Sequence, residues 1–397
     1  MSGADADRPE RAHAASPAFL FGNFVIGCGV LVVPGMLNEL AATLQVSVPT
    51  AGQLLGLAAL AMCIGAPLGA AFTSRIDRRK LLVSSLLLYC AGHAACALAD
   101  DYATLALLRP ISVLGAAIFT PQAAATIGLL VPAQRRASAV TTIFLGWSIA
   151  SVAGMPLGSL IAGYLNWRGG FVLVAVLSAL AAVWVARVVP AGLTVPALSR
   201  SSWIEVARSP RLTLVLAVTL ISSSAQFTVL AYIAPSLRQT LGASPAVLAA
   251  LLAVNGVFGV IGNTLMSRRI ARIGPDRSVW LGLLVLTLGL GVWAVAITAA
   301  PAWPVVTLGM ALWGLGAFAS NSAQQARLAA SAPALASASI ALNTACMYAG
   351  QSVGAALGGA TVAAAGYWPL GWCALGLMLA ALAASRRADR LTGPARP

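Results

Sequence analysis

Acidic residues are scarce in this sequence. Its 397 residues include ten Asp and Glu against 24 Lys and Arg, and charged residues make up only 9% of the total. A soluble domain carries about 25%, so soluble enzymes, disordered chains and nucleic-acid binders are excluded together. All ten acids (Asp5, Asp7, Glu10, Glu39, Asp77, Asp100, Asp101, Glu205, Asp276 and Asp389) fall in tails, loops or the ends of apolar runs. An embedded carboxylate costs roughly 2.5–3.5 kcal/mol on insertion and is kept mostly where it relays protons or pairs with cations. Its absence weakens the case for ordinary carboxylate-based proton coupling and for selection of cationic drugs. Metal chemistry is missing too. The six cysteines, Cys28, Cys63, Cys90, Cys96, Cys346 and Cys373, sit in apolar runs without ligand spacing and read as packing residues. No H-E-x-x-H motif or Cys/His cluster occurs, and no G-x-x-x-x-G-K-S/T phosphate loop signals a nucleotide-consuming domain. The first sixteen residues are polar and charged, and the first apolar run is too long for a cleaved signal.

What the chain has is apolar length. Hydrophobic residues make up 59% and the mean hydropathy is +0.89. Twelve runs stand out: Pro17–Leu40, Thr50–Phe72, Leu81–Leu98, Ala103–Val131, Ala139–Leu165, Gly170–Val189, Leu212–Leu241, Ala246–Ile270, Ser278–Ala300, Pro304–Ala330, Leu335–Ala364 and Pro369–Ser385. At about 1.5 Å per residue each can cross about 30 Å of hydrocarbon as a helix. The expected fold class is an all-α membrane protein of twelve transmembrane helices. Placing both termini in the cytoplasm puts 21 of the 24 basic residues on inner segments, leaving only Arg109, Arg168 and Arg238 elsewhere. The net charge of +14 then marks topology and contact with anionic lipids at the cytoplasmic face, not nucleic acid.

The sequence also repeats itself. Shifted by 197 residues, Leu44, Ser47, Leu54, Leu55, Ile64 and Gly65 meet Leu241, Ser244, Leu251, Leu252, Ile261 and Gly262, and Arg75-Ile76 meets Arg272-Ile273. The expected organisation is a cytoplasmic tail (1–16), a six-helix bundle (17–189), a cytoplasmic linker (190–211) with a short amphipathic helix near Trp203–Arg208, a second six-helix bundle (212–385) and a C-terminal tail (386–397). Two parallel six-span halves are the layout of a secondary transporter whose site lies between them near mid-depth.

Particular motifs carry a family resemblance. The segment Gly65 to Lys80 resembles the G-x-x-x-D-R-x-G-R-R signature of the major facilitator superfamily: Arg75, Arg78 and Arg79 match, while Ser74 stands at the acid and Asp77 at the glycine. Arg109 with Gly115 is similar to that family's R-x-x-Q-G-x-G. Gly154-Met-Pro156-Leu-Gly158 resembles the motif that marks its antiporters, with two glycines on one helix face and a proline that permits a bend. Asn166-Trp167-Arg168, Tyr232-Ile-Ala-Pro235, Asn255-Gly256, Trp313-Gly314 and Asn343 look like segments of the twelve-span drug/proton antiporter branch, of the sugar-efflux and purine-efflux permease type. The resemblance implies two pseudo-symmetric bundles and a cavity lined by spans one, four, seven and ten, with five, eight and eleven contributing. It implies a monomeric, non-enzymatic efflux permease of the bacterial inner membrane working by rocker-switch alternating access, with no cofactor beyond a coupling proton.

On those lining spans the candidate substrate contacts are Asn23, Gln122, Trp147, Gln226, Tyr232, Trp313, Asn321, Gln325, Asn343 and Tyr348, with Asn255 and Gln351 also polar there. Amides with Trp and Tyr faces suit a small neutral polar or amphiphilic solute such as a sugar, a nucleoside or a drug. Each could equally satisfy helix–helix hydrogen bonds. For coupling and gating the candidates are Arg109, Glu39, His93, Arg75, Arg78, Arg79, Gly154, Pro156 and Gly158. Arg109 reads either as a brace or as a group that tunes coupling, and His93 as a proton exchanger or an interhelical residue. An uncoupled facilitator of the same fold and a transporter-like sensor remain open alternatives.

Overall fold

The computed structural model describes residues 8–73, 75–132, 135–194, 200–299 and 301–391. Ser74 lies outside them. The described residues form fifteen α-helices: α1 (Arg8–Gly35), α2 (Leu37–Thr43), α3 (Val48–Phe72), α4 (Arg78–Ala97), α5 (Tyr102–Leu130), α6 (Arg136–Tyr164), α7 (Trp167–Val188), α8 (Arg200–Arg208), α9 (Pro210–Leu230), α10 (Ile233–Leu241), α11 (Pro245–Ile273), α12 (Pro275–Thr298), α13 (Trp303–Ser331), α14 (Ala336–Ala365) and α15 (Leu370–Arg390). All but α2, α8 and α10 reach twenty residues, and these twelve coincide with the twelve apolar runs. Ten are long and apolar enough to cross a membrane on their own account. The other two fall short on composition, not length: α14 carries Asn343, Tyr348 and Gln351, and α15 ends in Arg386, Arg387, Asp389 and Arg390.

Two boundaries differ from expectation. The segment 1–16, expected as a tail, is helical from Arg8. The first and seventh runs, expected as single spans, are each broken near their ends. In the first, Pro34 withdraws a backbone donor and the chain turns at Met36. In the seventh it turns at Ala231-Tyr232. The turn residues Met36 and Tyr232 are 196 residues apart, one short of the repeat's shift, so the break recurs at nearly the same place in both halves.

The repeat runs deeper. Ser47 and Ser244 each cap the following helix, accepting from the backbone N–H of Thr50 and Val247. Just before them Gln45 and Gly242, again 197 apart, are left-handed at φ 52° and 63°. Glycine adopts that conformation without strain, whereas glutamine gives up about 1–2 kcal/mol. We expect Gln45→Gly to leave stability within about 0.5 kcal/mol, relief offsetting chain entropy, and Gly242→Val to lower it by at least about 1 kcal/mol; thermal unfolding in detergent measures both.

Packing repeats as well. In the first half α1 lies on α6 and α7, α4 on α5 and α7, and α3 on α5. In the second, α9 lies on α14 and α15, α12 on α13 and α15, and α11 on α13. The halves meet through α3 against α14 and α6 against α11, two contacts exchanged by the pseudo-twofold. Small residues permit the close approaches. A Cβ on Gly154 would come 3.0 Å from the Cys28 backbone, and one on Gly256 would come 2.4 Å from the Ser151 carbonyl of the other half.

Candidate substrate and gating site

The halves are shut at the arginine-poor end, where α2 and α10 lie. The Tyr232 ring sits in a slot between Gly52 of α3 and Gly358 of α14, where an added Cβ would meet it at 2.4 and 2.7 Å. Its hydroxyl donates to the Ala355 carbonyl at 2.9 Å and accepts from Gln53 Nε2 of the opposite half at 3.4 Å. Arg238 pairs with Glu39 across the halves at 3.4 Å, and a Cβ on Gly163 would strike Pro245 at 2.4 Å. Tyr232, expected to touch substrate, is fully buried in this closure. Glu39 is the one gating candidate found between the halves, and its partner Arg238 carried no sequence signal beyond lying off the inner segments.

Helix α13 shows which face points inward. Trp313 and Gln324 lie toward α9, Leu315, Phe318 and Ser322 toward α11, and Gly316 and Ser320 toward α12. Helical spacing leaves the stripe Ala317, Asn321 and Gln325 in the gap between α9 and α11, facing the other half. Asn321 and Gln325, one turn apart, are half-buried and have no hydrogen-bond partner among the described residues. Gln351 on α14 is likewise half-buried and unpartnered among them. Next to the stripe Trp313 Nε1 donates to Gln226 Oε1 at 3.3 Å.

Most of the remaining candidates are spent within the protein. Asn23 donates to the Phe19 carbonyl and accepts from Thr120 at 2.8 Å. Gln122 accepts from the Arg78 guanidinium at 2.5 Å. Asn343 accepts from Thr219 at 2.6 Å, and Asn255 donates to the Met310 carbonyl at 3.0 Å. Tyr348 reaches out of the second half into the first half's apolar cluster beside Cys28 and Met62. Trp147 packs on Gly27, with its indole N–H buried and unpartnered. Gln324 was missed by sequence reading. It donates to the Val215 carbonyl at 2.6 Å and to Thr219, tying α13 to α9, and its place in the polar run Asn321-Ser-Ala-Gln324-Gln325 was the available signal. The first half answers the α13 stripe with apolar residues. On α5, Leu114 and Ile118 turn to α3, Ser112 and Gly115 to α4, and Phe119 and Thr120 to α1. That leaves Ala124 and Gly128, both half-buried, facing the gap. A Cβ on Gly128, toward the arginine-rich end, would meet nothing within 4 Å.

Arg109 is buried among α1, α4, α5 and α7. It donates to the Gly29 carbonyl of α1 at 2.6 Å and to His93 Nε2 at 3.1 Å, and its guanidinium lies 5.6 Å from the Phe171 ring. A guanidinium has only donors, so His93 must accept at Nε2 and donate its Nδ1–H to the Tyr89 carbonyl at 2.8 Å. The Tyr89 hydroxyl donates to the Ile26 carbonyl, also on α1. In this arrangement Arg109 ties α5 to α1 and α4, and nothing of the guanidinium faces the space between the halves.

At the arginine-rich end Arg78 is buried while Arg75 and Arg79 are exposed. Gly154 and Gly158 bring α6 onto α1, inside one half, and Pro156 frees the Val152 carbonyl on the turn that meets α11. Asp77 caps α4 by accepting from the Lys80 N–H at 3.0 Å, and it accepts from the Gly192 N–H on the segment leading to the second half. Burial opposes its charge, but the N–H groups of Lys80, Gly192 and Leu193 and the Lys80 charge outweigh it, so its carboxyl titrates below the ordinary 3.8. A carboxyl depressed on folding stabilises above its unfolded value and loses that as pH falls through the folded one. Residues 190–194 should become cleavable by pepsin only below about pH 4, and Asp77→Ala should remove about 0.5–2 kcal/mol of stability at neutral pH.

Comparisons with known proteins fit this architecture. The chain is 30% identical over 352 residues to the inner membrane transport protein YdhP of Escherichia coli (strain K12), covering 87% of this chain and 88% of that one. It is 31% identical over 270 residues to a probable sugar efflux transporter of Mannheimia succiniciproducens, covering 68% of each. It is 32% identical over 247 residues to a chloramphenicol resistance protein of Streptomyces lividans, covering 61% and 63%. The solved D-xylose–proton symporter superposes with a TM-score of 0.74 at 20% identity, over 94% of this chain and 97% of that one. The family model of the Major Facilitator Superfamily matches residues 19–334. With its repeated six-helix halves, its closure around Tyr232 and its inward-facing α13 amides, the chain belongs to the Major Facilitator Superfamily of membrane transporters.

Proposed function

We propose that this transporter exports a small neutral, hydrogen-bonding solute, a sugar or an amphiphile of the chloramphenicol kind, across a bacterial inner membrane in exchange for protons. The observation that carries the reading is the pair Asn321 and Gln325: two amides on the face turned toward the other half, with no partner among the described residues. In a protein interior such groups are otherwise nearly always bonded. An amide both donates and accepts, which suits hydroxyls and carbonyls and gives no hold on a net charge. The sugar-efflux and chloramphenicol-resistance relatives support the substrate class and the outward direction. With the arginine-rich end in the cytoplasm, the closed end is the outer one. Rocking the halves about the contacts of α3 with α14 and α6 with α11 would then withdraw Tyr232 from its slot and part Glu39 from Arg238.

The test is counterflow of radiolabelled chloramphenicol, and separately of a pentose, in proteoliposomes with and without a pH gradient. Saturable counterflow stimulated by the gradient is the expected result. Equal transport in both conditions would leave the uncoupled facilitator as the correct reading, and the lack of carboxylates at mid-depth favours that alternative.

A further inference from the structure

We infer that His93 is the group through which the proton is exchanged, and that Arg109 and the proton compete for its Nε2 lone pair. The inference rests on the proton-exchange reading above and names its site. Three observations carry it. First, the cluster holds the ionisable pair fully buried toward the arginine-poor ends of α4 and α5, and no carboxylate stands near it among the described residues. The titratable groups around the imidazole are Tyr89 and Cys96 of α4, Cys28 of α1, Arg109 of α5 and Tyr348 of α14, while α7 contributes Phe171. Second, both imidazole nitrogens are engaged, Nδ1–H with the Tyr89 carbonyl and Nε2 with Arg109 at 3.1 Å. A proton arriving at Nε2 makes an imidazolium and abolishes the acceptor. Two cations at that distance without an anion cannot remain, so the guanidinium must leave. Third, leaving has a consequence. Arg109 also holds the Gly29 carbonyl, four residues past Val25 in a helix whose Pro34 already leaves the Val30 carbonyl without its usual donor. The guanidinium Nε is buried without a partner in this closed arrangement, so it adds no third bond that leaving would break.

The proton balance is simple. In a conformation open to water the proton comes from that side onto His93 Nε2 as Arg109 swings away. On closure Arg109 returns to Nε2 and Gly29, and the proton leaves to the other side. Gly29 is part of the device: a Cβ there would come 2.7 Å from His93 Nε2 and closer still to the Tyr89 hydroxyl.

Two measurements decide. In proteoliposomes His93→Gln, which keeps a hydrogen-bond donor and acceptor but cannot take a proton, should lower the stimulation of chloramphenicol counterflow by a pH gradient at least about tenfold. Stimulation that survives in His93→Gln overturns the inference, as does its absence from the parent when counterflow is present. Should the parent move no chloramphenicol at all, the transport reading falls for that probe and the second measurement still tests His93. In His13→Gln protein the only histidine left is His93, and its 15N spectrum reports the ring directly. The expected result is a neutral ring protonated at Nδ1 at about pH 8, an imidazolium at about pH 5.5, and faster amide exchange along residues 26–33 in the acid form. A ring that keeps the neutral tautomer throughout overturns the inference without any variant of His93 having to fold.

Discussion

Arg327→Ala is expected to destabilise the carrier by about 1–3 kcal/mol, because it breaks charged hydrogen bonds from a buried guanidinium and leaves two partly exposed carboxylates uncompensated. Arg327 is fully buried at the arginine-rich end of α13. Its Nη2 donates to Asp389 at 2.6 Å and its Nη1 to the Ser385 hydroxyl at 3.1 Å, both on α15. Its Nε lies 2.7 Å from Asp276 at the start of α12, off the N–H direction, so that contact is an ion pair without a hydrogen bond. Burial pushes the Asp389 carboxyl up, against the pull of Arg327 and Arg211, and the Asp276 carboxylate beside it pushes the same way. Without Arg327 two carboxylates face each other, helped only by Arg211 at 3.6 Å from Asp276. Thermal unfolding in detergent measures the loss. Adding Asp276→Asn and Asp389→Asn to Arg327→Ala should recover part of it. A triple variant no more stable than the single one would show that the guanidinium's packing, not its charge, is what matters.

Asn321→Ala with Gln325→Ala is expected to cut chloramphenicol counterflow about 30-fold, with each single change giving about fivefold. Each neutral hydrogen bond to a solute contributes roughly 1 kcal/mol, and 1.4 kcal/mol is a factor of ten. Stability should stay within about 0.5 kcal/mol, since neither amide holds another part of the protein. Asn23→Ala and Asn343→Ala should do the reverse: each leaves a hydroxyl, half-buried on Thr120 and buried on Thr219, without its acceptor, at about 1–3 kcal/mol. If Asn343→Ala abolishes counterflow without loss of stability, the division between spent and unspent amides is wrong.

That division marks the limit of what the sequence disclosed. The twelve spans were legible because water and hydrocarbon separate residues by polarity over lengths that local sequence records. The repeat was legible where identical caps and loops recur, as at Ser47 and Ser244. The break in the first run at Met36 was not foreseen, although Pro34-Gly35 carries it, because membrane helices often absorb a proline. Among site residues, composition named the polar groups on the lining spans but not their partners. Asn23 and Asn321 look alike in sequence. Asn23 reaches Thr120, 97 residues away, besides the Phe19 carbonyl one turn back, and no local pattern reports a partner that distant. Arg327 likewise read as a topology marker and Arg78 as a gating candidate, and only the fold shows them buried under Asp389 and Gln122.

Duplication gave the chain two bundles of one design, yet the faces they turn toward each other have diverged. The second offers amides and the first offers Ala124 and Gly128. A division of labour follows: one bundle chooses the cargo, and the other supplies a greasy wall that moves past it. Grafting the opening half of a sister permease onto residues 212–391 would accordingly leave the menu of exported compounds largely intact, while the reciprocal hybrid would inherit its donor's taste.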